Sequence, residues 1–302
     1  MGGVRGMEFR TVGGGLRVSL VGLGCNNFGR RLGERESRAV IHAALDAGIT
    51  LFDTADSYGG GRSEKFIGKA LGARRREIAI ATKFGWSGGA GPRKVARAVE
   101  GSLKRLRTDV IDLYQIHRPD PATPIADTLE ALDRLVDQGK VRFVGCSNFS
   151  GAQIAEARAV ADAHDWCAFV TAQNPYSLLD RAIEDDVVPA CAPDGMGILP
   201  YYPLANGLLS GKYRRGAPWP GGTRLSQWRV SDFEWEVVEG LAAHAEAAGR
   251  SLLELAFSWL AAQPGILSVI AGATTPEQVA RNAGAAGWRL TEADLAEVGR
   301  FV

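Results

Sequence analysis

The sequence predicts an α/β fold, a closed (β/α)8 barrel (TIM barrel) with a parallel sheet. Three observations lead there. The chain has 302 residues, 46% of them hydrophobic, enough to bury a large core. Eight short runs are apolar and nearly free of charge until their last residues, as strands buried on both faces are. Stretches with apolar residues at helical spacing lie between them, and this alternation favours a closed parallel barrel over an open sheet.

The elements follow in order. MEFRTVGGGLRVS reads as a β-hairpin with a glycine turn that closes the bottom of the barrel. The strand candidates are VSLVGLGC (18–25), TLFDTA (50–55), IAIATKF (78–84), VIDLYQIH (110–117), VRFVGCSN (141–148), FVTAQNPY (169–176), GILPYYPL (197–204) and SVIAGAT (268–274). Of the helices, ESRAVIHAALDAG opens acidic and stops at Gly48. PRKVARAVEGSLKRL starts with Pro92, suited to a first helical turn. PIADTLEALDRLVDQGK stops near Gly139, and SGAQIAEARAVADAH and SLLELAFSWLAAQ continue the series. The chain reads as one domain over 1–302, with residues 1–6 a disordered lead-in. The stretch 213–232, rich in Gly, Pro and Trp, reads as a lid over the mouth.

Composition narrows the function classes. A net charge of +1 predicts no basic face, which argues against nucleic acid and membrane as partners. Cys25, Cys146, Cys167 and Cys191 form no CxxC or zinc spacing, so no metal is expected. No signal core or bilayer-length run is present, and the expected location is the cytoplasm. No pattern in the sequence sets an oligomeric state.

Active sites of such barrels sit at the C-terminal strand ends. There the sequence places Asp53 with Tyr58 in the following loop, then Lys83, His117, Ser147-Asn148, Gln173-Asn174, Tyr201-Tyr202 and Gly272-Ala273-Thr274. A carboxylate, a phenol, a lysine and an imidazole at one mouth form a proton-transfer device. A Lys83 ammonium would lower the phenol of Tyr58 from its ordinary value, and Asp53 would hold Lys83 in place. No nucleophile is paired with a base in this set, so a hydride cofactor is the expected electron source. His42, His164 and His244 fall within helix patterns and read as structural or solvated. Trp86, Trp219 and Trp228 are open to either reading, pocket wall or packing. GLGCNNFG has Asn27 where a dinucleotide fingerprint needs its third glycine.

The ordered series FDTADSYGGGRSEKFIGKAL, ATKFG, DLYQIHRPD, VRFVGCSNFS, AQNPYSLLD, YYPLANGLLSGKY and IAGATTPEQVARN resembles the aldo-keto reductases over nearly the whole chain. The resemblance implies a catalytic tetrad of Asp53, Tyr58, Lys83 and His117, with Tyr58 the general acid and NADPH (NADH possible) the hydride source. It implies that Ser147, Asn148 and Gln173 hold the carboxamide and that Tyr201 stacks on the nicotinamide. Leu204, Gly207 and Lys212 would follow the pyrophosphate, and Gly272, Thr274, Gln278 and Asn282 the adenosine. Two departures stand out. Tyr202 replaces a usual serine, and Gly272 and Gln278 are uncharged where many members carry a cation for the 2′-phosphate. Arg281, Lys212 or Arg224 would supply that charge instead.

The function this implies is NADPH-dependent reduction of an aldehyde or ketone, a small-molecule carbonyl substrate. One alternative is the oxidative direction on an alcohol or sugar. Another is a cofactor-sensing role, because YYPLANGLLSGKY and the GATTPEQ segment also resemble potassium-channel β-subunits, which keep this fold with weak turnover.

Overall fold

In a computed structural model, residues 6–87, 89–219, 225 and 229–302 are described. The chain opens with an antiparallel hairpin, β1 (Phe9–Val12) and β2 (Leu16–Ser19). Eight parallel strands follow, separated by helices: β3 (Val21–Gly24), α1 (Glu34–Asp46), β4 (Leu51–Asp53), α2 (Arg62–Leu71), β5 (Ala79–Phe84), α3 (Pro92–Leu106), β6 (Ile111–Ile116), α4 (Ile125–Asp137), β7 (Val141–Ser147), α5 (Gly151–His164), β8 (Phe169–Gln173), α6 (Val187–Cys191) and β9 (Gly197–Ile198). Then come α7 (Asp232–Ala247), α8 (Leu252–Ala262), β10 (Val269–Gly272), α9 (Pro276–Gly284) and α10 (Glu292–Val298). The sheet order runs β10-β3-β4-β5-β6-β7-β8-β9. The last seam is joined by Leu267 N–H to Ile198 O at 2.9 Å and Ile270 N–H to Pro200 O at 3.1 Å. No described helix is long and apolar enough to cross a membrane.

The predicted barrel and hairpin are present, and the hairpin plugs the bottom. Leu16 and Val18 of β2 are buried against Leu51, Ala79, Leu113, Leu199 and Leu267 inside the barrel. The larger apolar layer lies between the strands and the surrounding helices. Helix ends follow their caps. The 150–164 segment starts on a capping box between Ser150 and Gln153. The chain leaves the 124–140 segment through Gly139 at φ +68°, a left-handed turn that suits glycine.

Three strand boundaries differ most from the sequence reading. The first candidate splits at Leu20, because residues 16–19 belong to the hairpin. The seventh shrinks to Gly197–Ile198, since Pro200 and Pro203 have no N–H to give a ladder. The sixth ends at Gln173, two residues before Pro175. In the predicted lid, Tyr213 and Leu225 are buried, while residues 220–224 and 226–228, with Arg224 and Trp228, lie outside the described residues. So do residues 1–5 of the expected lead-in.

Candidate active site

Parallel pairing puts the ends of β4, β5 and β6 side by side, because Asp53 is in register with Ala81 and Lys83 with Gln115. From there Lys83, with none of its surface exposed, reaches Asp53, 4% exposed. Its ammonium donates to Asp53 Oδ1 at 2.7 Å, Asp53 Oδ2 at 2.8 Å and Thr54 O at 3.0 Å. Gln173 Nε2 donates to Asp53 Oδ1 at 2.9 Å. The carboxylate is thus fixed from two strands on opposite sides of the mouth.

Tyr58 follows in the loop after β4. Lys83 Nζ lies 5.2 Å from its ring centroid, and the His117 ring meets it edge-on at 5.7 Å. His117 is one residue past β6, its N–H donating to Phe84 O at 2.8 Å. Its Nδ1 is buried with no partner among the described residues. The four residues of the predicted tetrad therefore come together at one end of the barrel.

Burial shifts the proton equilibria in a consistent way. It pushes the Tyr58 phenol above its ordinary value; Lys83 pulls the other way, and Asp53 adds to the rise. The sequence reading expected Lys83 to lower the phenol. Its charge does act downward, but loss of water around the hydroxyl outweighs it, so Tyr58 stays protonated at neutral pH. Burial also takes His117 down to about 3, with Lys83 and then Arg118 adding to the fall, so its imidazole is neutral. For Lys83 burial acts downward, yet Asp53 and then Tyr58 more than reverse it and the ammonium is kept.

Behind β5, at Thr82, lies a second buried ion pair that sequence reasoning missed. Glu64, fully buried, accepts from Arg105 Nε and from the Thr82 hydroxyl, each at 2.6 Å. Glu64 follows the glycine run of the tyrosine loop, and Arg105 lies at the end of the neighbouring helix α3, packed directly on α2. Only the charge at an otherwise apolar helix position could have signalled it. Asp56 sits beside this pair; burial and then Glu64 raise its carboxyl to about 6.

The residues expected to hold a nicotinamide nucleotide line the other half of the mouth. The Asn148 amide donates to His117 O (2.8 Å) and Ser147 Oγ (3.0 Å), and its Oδ1 accepts from Tyr201 O–H at 2.7 Å. Asn148 thus positions Tyr201, while the Ser147 hydroxyl keeps a proton to donate and Gln173 a second amide N–H. Of six described non-glycine residues with positive φ, four are Asn148, Tyr202, Ala205 and Asn206. Backbone held in that region gathers at binding sites, and here it runs into Gly207 at φ +105°. Leu204 and Gly207 are half-buried, and Lys212 is exposed beside the Tyr213 ring. At the far side, Thr274 N–H and O–H both donate to Gln278 Oε1, at 2.8 and 3.0 Å. Helix α9 opens there on a Thr275 cap, offering its positive end. Gly272 is exposed, with Asn27 Nδ2 3.3 Å from where a Cβ would stand; Asn282 is buried and Arg281 exposed. This donor set and strained loop fit a dinucleotide.

Trp86 lies tilted on His117, ring centroids 4.7 Å apart, at the mouth. Trp219 instead packs on Tyr213 and Trp235. His42 bonds Ala70 O, His164 stacks on Trp166, and His244 lies near Glu297, all away from the mouth.

The profile of the aldo/keto reductase family matches residues 20–302. A probable voltage-gated potassium channel subunit beta of rice (Oryza sativa subsp. japonica) is 36% identical over 91% of this chain and 90% of its own length. An aldo-keto reductase of Bacillus subtilis (strain 168) is 35% identical over 97% of this chain and 92% of its own. The solved structure of a glycerol dehydrogenase from Gluconobacter oxydans superposes with a TM-score of 0.86 at 32% identity, covering 97% of this chain and 94% of that one.

Proposed function

This chain belongs to the aldo/keto reductase family of oxidoreductases, and we propose that it passes a hydride between a nicotinamide nucleotide and the carbonyl carbon of an aldehyde or ketone. One observation carries the reading: a protonated phenol and a neutral imidazole converge on a buried Lys83–Asp53 pair at the barrel mouth.

A bound nicotinamide would supply the hydride in reduction and accept it in oxidation. The residues supply the rest. Tyr58 gives its proton to the carbonyl oxygen as charge develops there. The neutral His117 ring orients that oxygen by donating to it. Lys83 favours the phenolate that Tyr58 becomes, an interaction stronger in the transition state than before it. Asp53 keeps the ammonium in place and charged. Ser147, Gln173 and Tyr201 would hold the nicotinamide end, with Asn148 fixing Tyr201. Leu204, Gly207 and Lys212 would take the pyrophosphate, and Gly272, Thr274, Gln278, Arg281 and Asn282 the adenosine. NADPH is the first choice, with Arg281 and Lys212 the cations for a 2′-phosphate. Gln278, committed to Thr274, leaves NADH use open. The four free cysteines suit a reducing compartment, the cytoplasm.

Two further readings have specific support. The glycerol dehydrogenase likeness favours the same site working on an alcohol or sugar in the oxidative direction. The potassium-channel subunit relative favours a cofactor sensor with weak turnover. Nucleotide binding followed by fluorescence, then turnover on a panel of aldehydes, ketones and alcohols, separates the three. Tyr58→Phe should bind nucleotide as the parent does yet lose about 10²–10⁴ in kcat. A variant with parental turnover would remove Tyr58 as the acid.

A further inference from the structure

Three large apolar side chains are exposed among the described residues, and two of them, Trp86 (48%) and Tyr202 (43%), stand at the mouth. Trp86 rests on His117, and Arg118 rests on Trp86, its Cζ 5.1 Å from the ring centroid. Cation–π attraction to the ring holds the guanidinium without using any of its five N–H donors. The nearest acid along the chain, Asp120, is committed elsewhere. It accepts from Ala90 N–H (2.7 Å), the Thr123 hydroxyl (2.7 Å) and Ala122 N–H (3.1 Å). Those bonds also tie down the far end of the loop that carries Trp86. Lys83, the other cation close to His117, is neutralised by Asp53. Arg118 is therefore a positioned cation on the substrate wall, and its charge is felt at the His117 ring.

We propose that Arg118, laid on Trp86 beside His117, is an anion subsite, and that the preferred carbonyl substrate carries a carboxylate a short, rigid distance from its carbonyl. The proposal rests on the reductase reading and names its substrate class. A carboxylate suits the fork of a single guanidinium, which can present two parallel N–H donors to it. The aromatic face of Trp86 would cover the apolar stretch between carbonyl and anion.

The test compares 4-formylbenzoate with its neutral isostere 4-formylbenzamide, using whichever nucleotide supports turnover. The protein should favour the carboxylate in kcat/KM by about tenfold at low ionic strength, the scale of one charge-assisted hydrogen bond. Salt at about 0.5 M should narrow that preference, because the site is open to screening. Arg118→Ala should abolish it through KM for 4-formylbenzoate, leaving 4-formylbenzamide within about twofold. Arg118→Lys should recover part of it, having the charge without the fork. An unchanged preference in Arg118→Ala, or an equal loss on both aldehydes, overturns the subsite while leaving the reductase reading intact. Failure of the parent protein to reduce either aldehyde with either nucleotide overturns both.

Discussion

Lys83→Met tests how the centre of the site is held. The substitution keeps a long apolar stem and deletes the ammonium. Asp53 then loses two donors, at 2.7 and 2.8 Å, and keeps the Gln173 amide at 2.9 Å. Thr54 O loses its donor as well. Both partners are essentially out of water, so the carboxylate cannot recover solvation in place. Removing one member of such a pair costs about 3–5 kcal/mol, a large share of the roughly 5–15 kcal/mol that holds a folded protein. In urea this should appear as a midpoint lowered by about 1–2 M. Adding Asp53→Asn removes the stranded charge, so the double variant should regain at least about 2 kcal/mol over Lys83→Met. It should be folded and yet inactive, which separates the pair's part in stability from its part in turnover. A single variant costing under about 1 kcal/mol, or losses that simply add, would show that the pair is solvated and would refute the reasoning.

Two other outcomes follow from the structure. His117 sits near 3 in the fold and roughly 6.5 when unfolded, so the unfolded chain takes up the proton first as pH falls. Its contribution to stability should be constant above about pH 7.5 and decline toward pH 3, by up to about 1.4 kcal/mol per unit. Denaturation midpoints from pH 4 to 8 should slope less in His117→Gln, and equal slopes would contradict the placement of the ring. Gly145→Ala would put a Cβ 2.3 Å from Thr171 Oγ1 and 3.0 Å from Thr171 O. A cost of about 1–3 kcal/mol is expected, partly relieved by Thr171→Ala, as thermal melts of the two variants would show.

The barrel was legible because its strands are buried on both faces and read as uninterrupted apolar runs, as AIATKF does before its helix. Ends were legible where caps or prolines mark them, as at Pro92. What failed depended on contacts between units. The break at Leu20 is set by β2 turning inward to plug the barrel, which a local window cannot see. The long seventh run looked like a strand by its apolar content, though Pro200 and Pro203 deny it a ladder. Asp53, Tyr58, Lys83 and His117 could be nominated from strand ends and motif. The Glu64–Arg105 pair could not, because its members are 41 positions apart. The sign of the Tyr58 shift was misjudged for the same reason: residue types give the charges, but only packing gives the loss of water.

That loss of water also bears on the direction of the proposed reaction. Burial acts oppositely on acids and bases, yet here it leaves both the phenol and the imidazole uncharged. The lysine escapes because Asp53 is buried with it. At neutral pH the tetrad therefore holds one ion pair and two neutral hydrogen-bonding groups. A site with a protonated Tyr58 is ready to give a proton, as carbonyl reduction needs. Taking one from an alcohol needs the phenolate, which becomes accessible only as pH rises. In the proposed reaction one set of residues would thus serve either direction, with pH and substrate supply deciding between them. Relatives named as a reductase and as a glycerol dehydrogenase need not differ at this centre. On this argument specificity belongs to the rim, where Trp86, Arg118 and Tyr202 stand on loops that can vary without disturbing the buried pair.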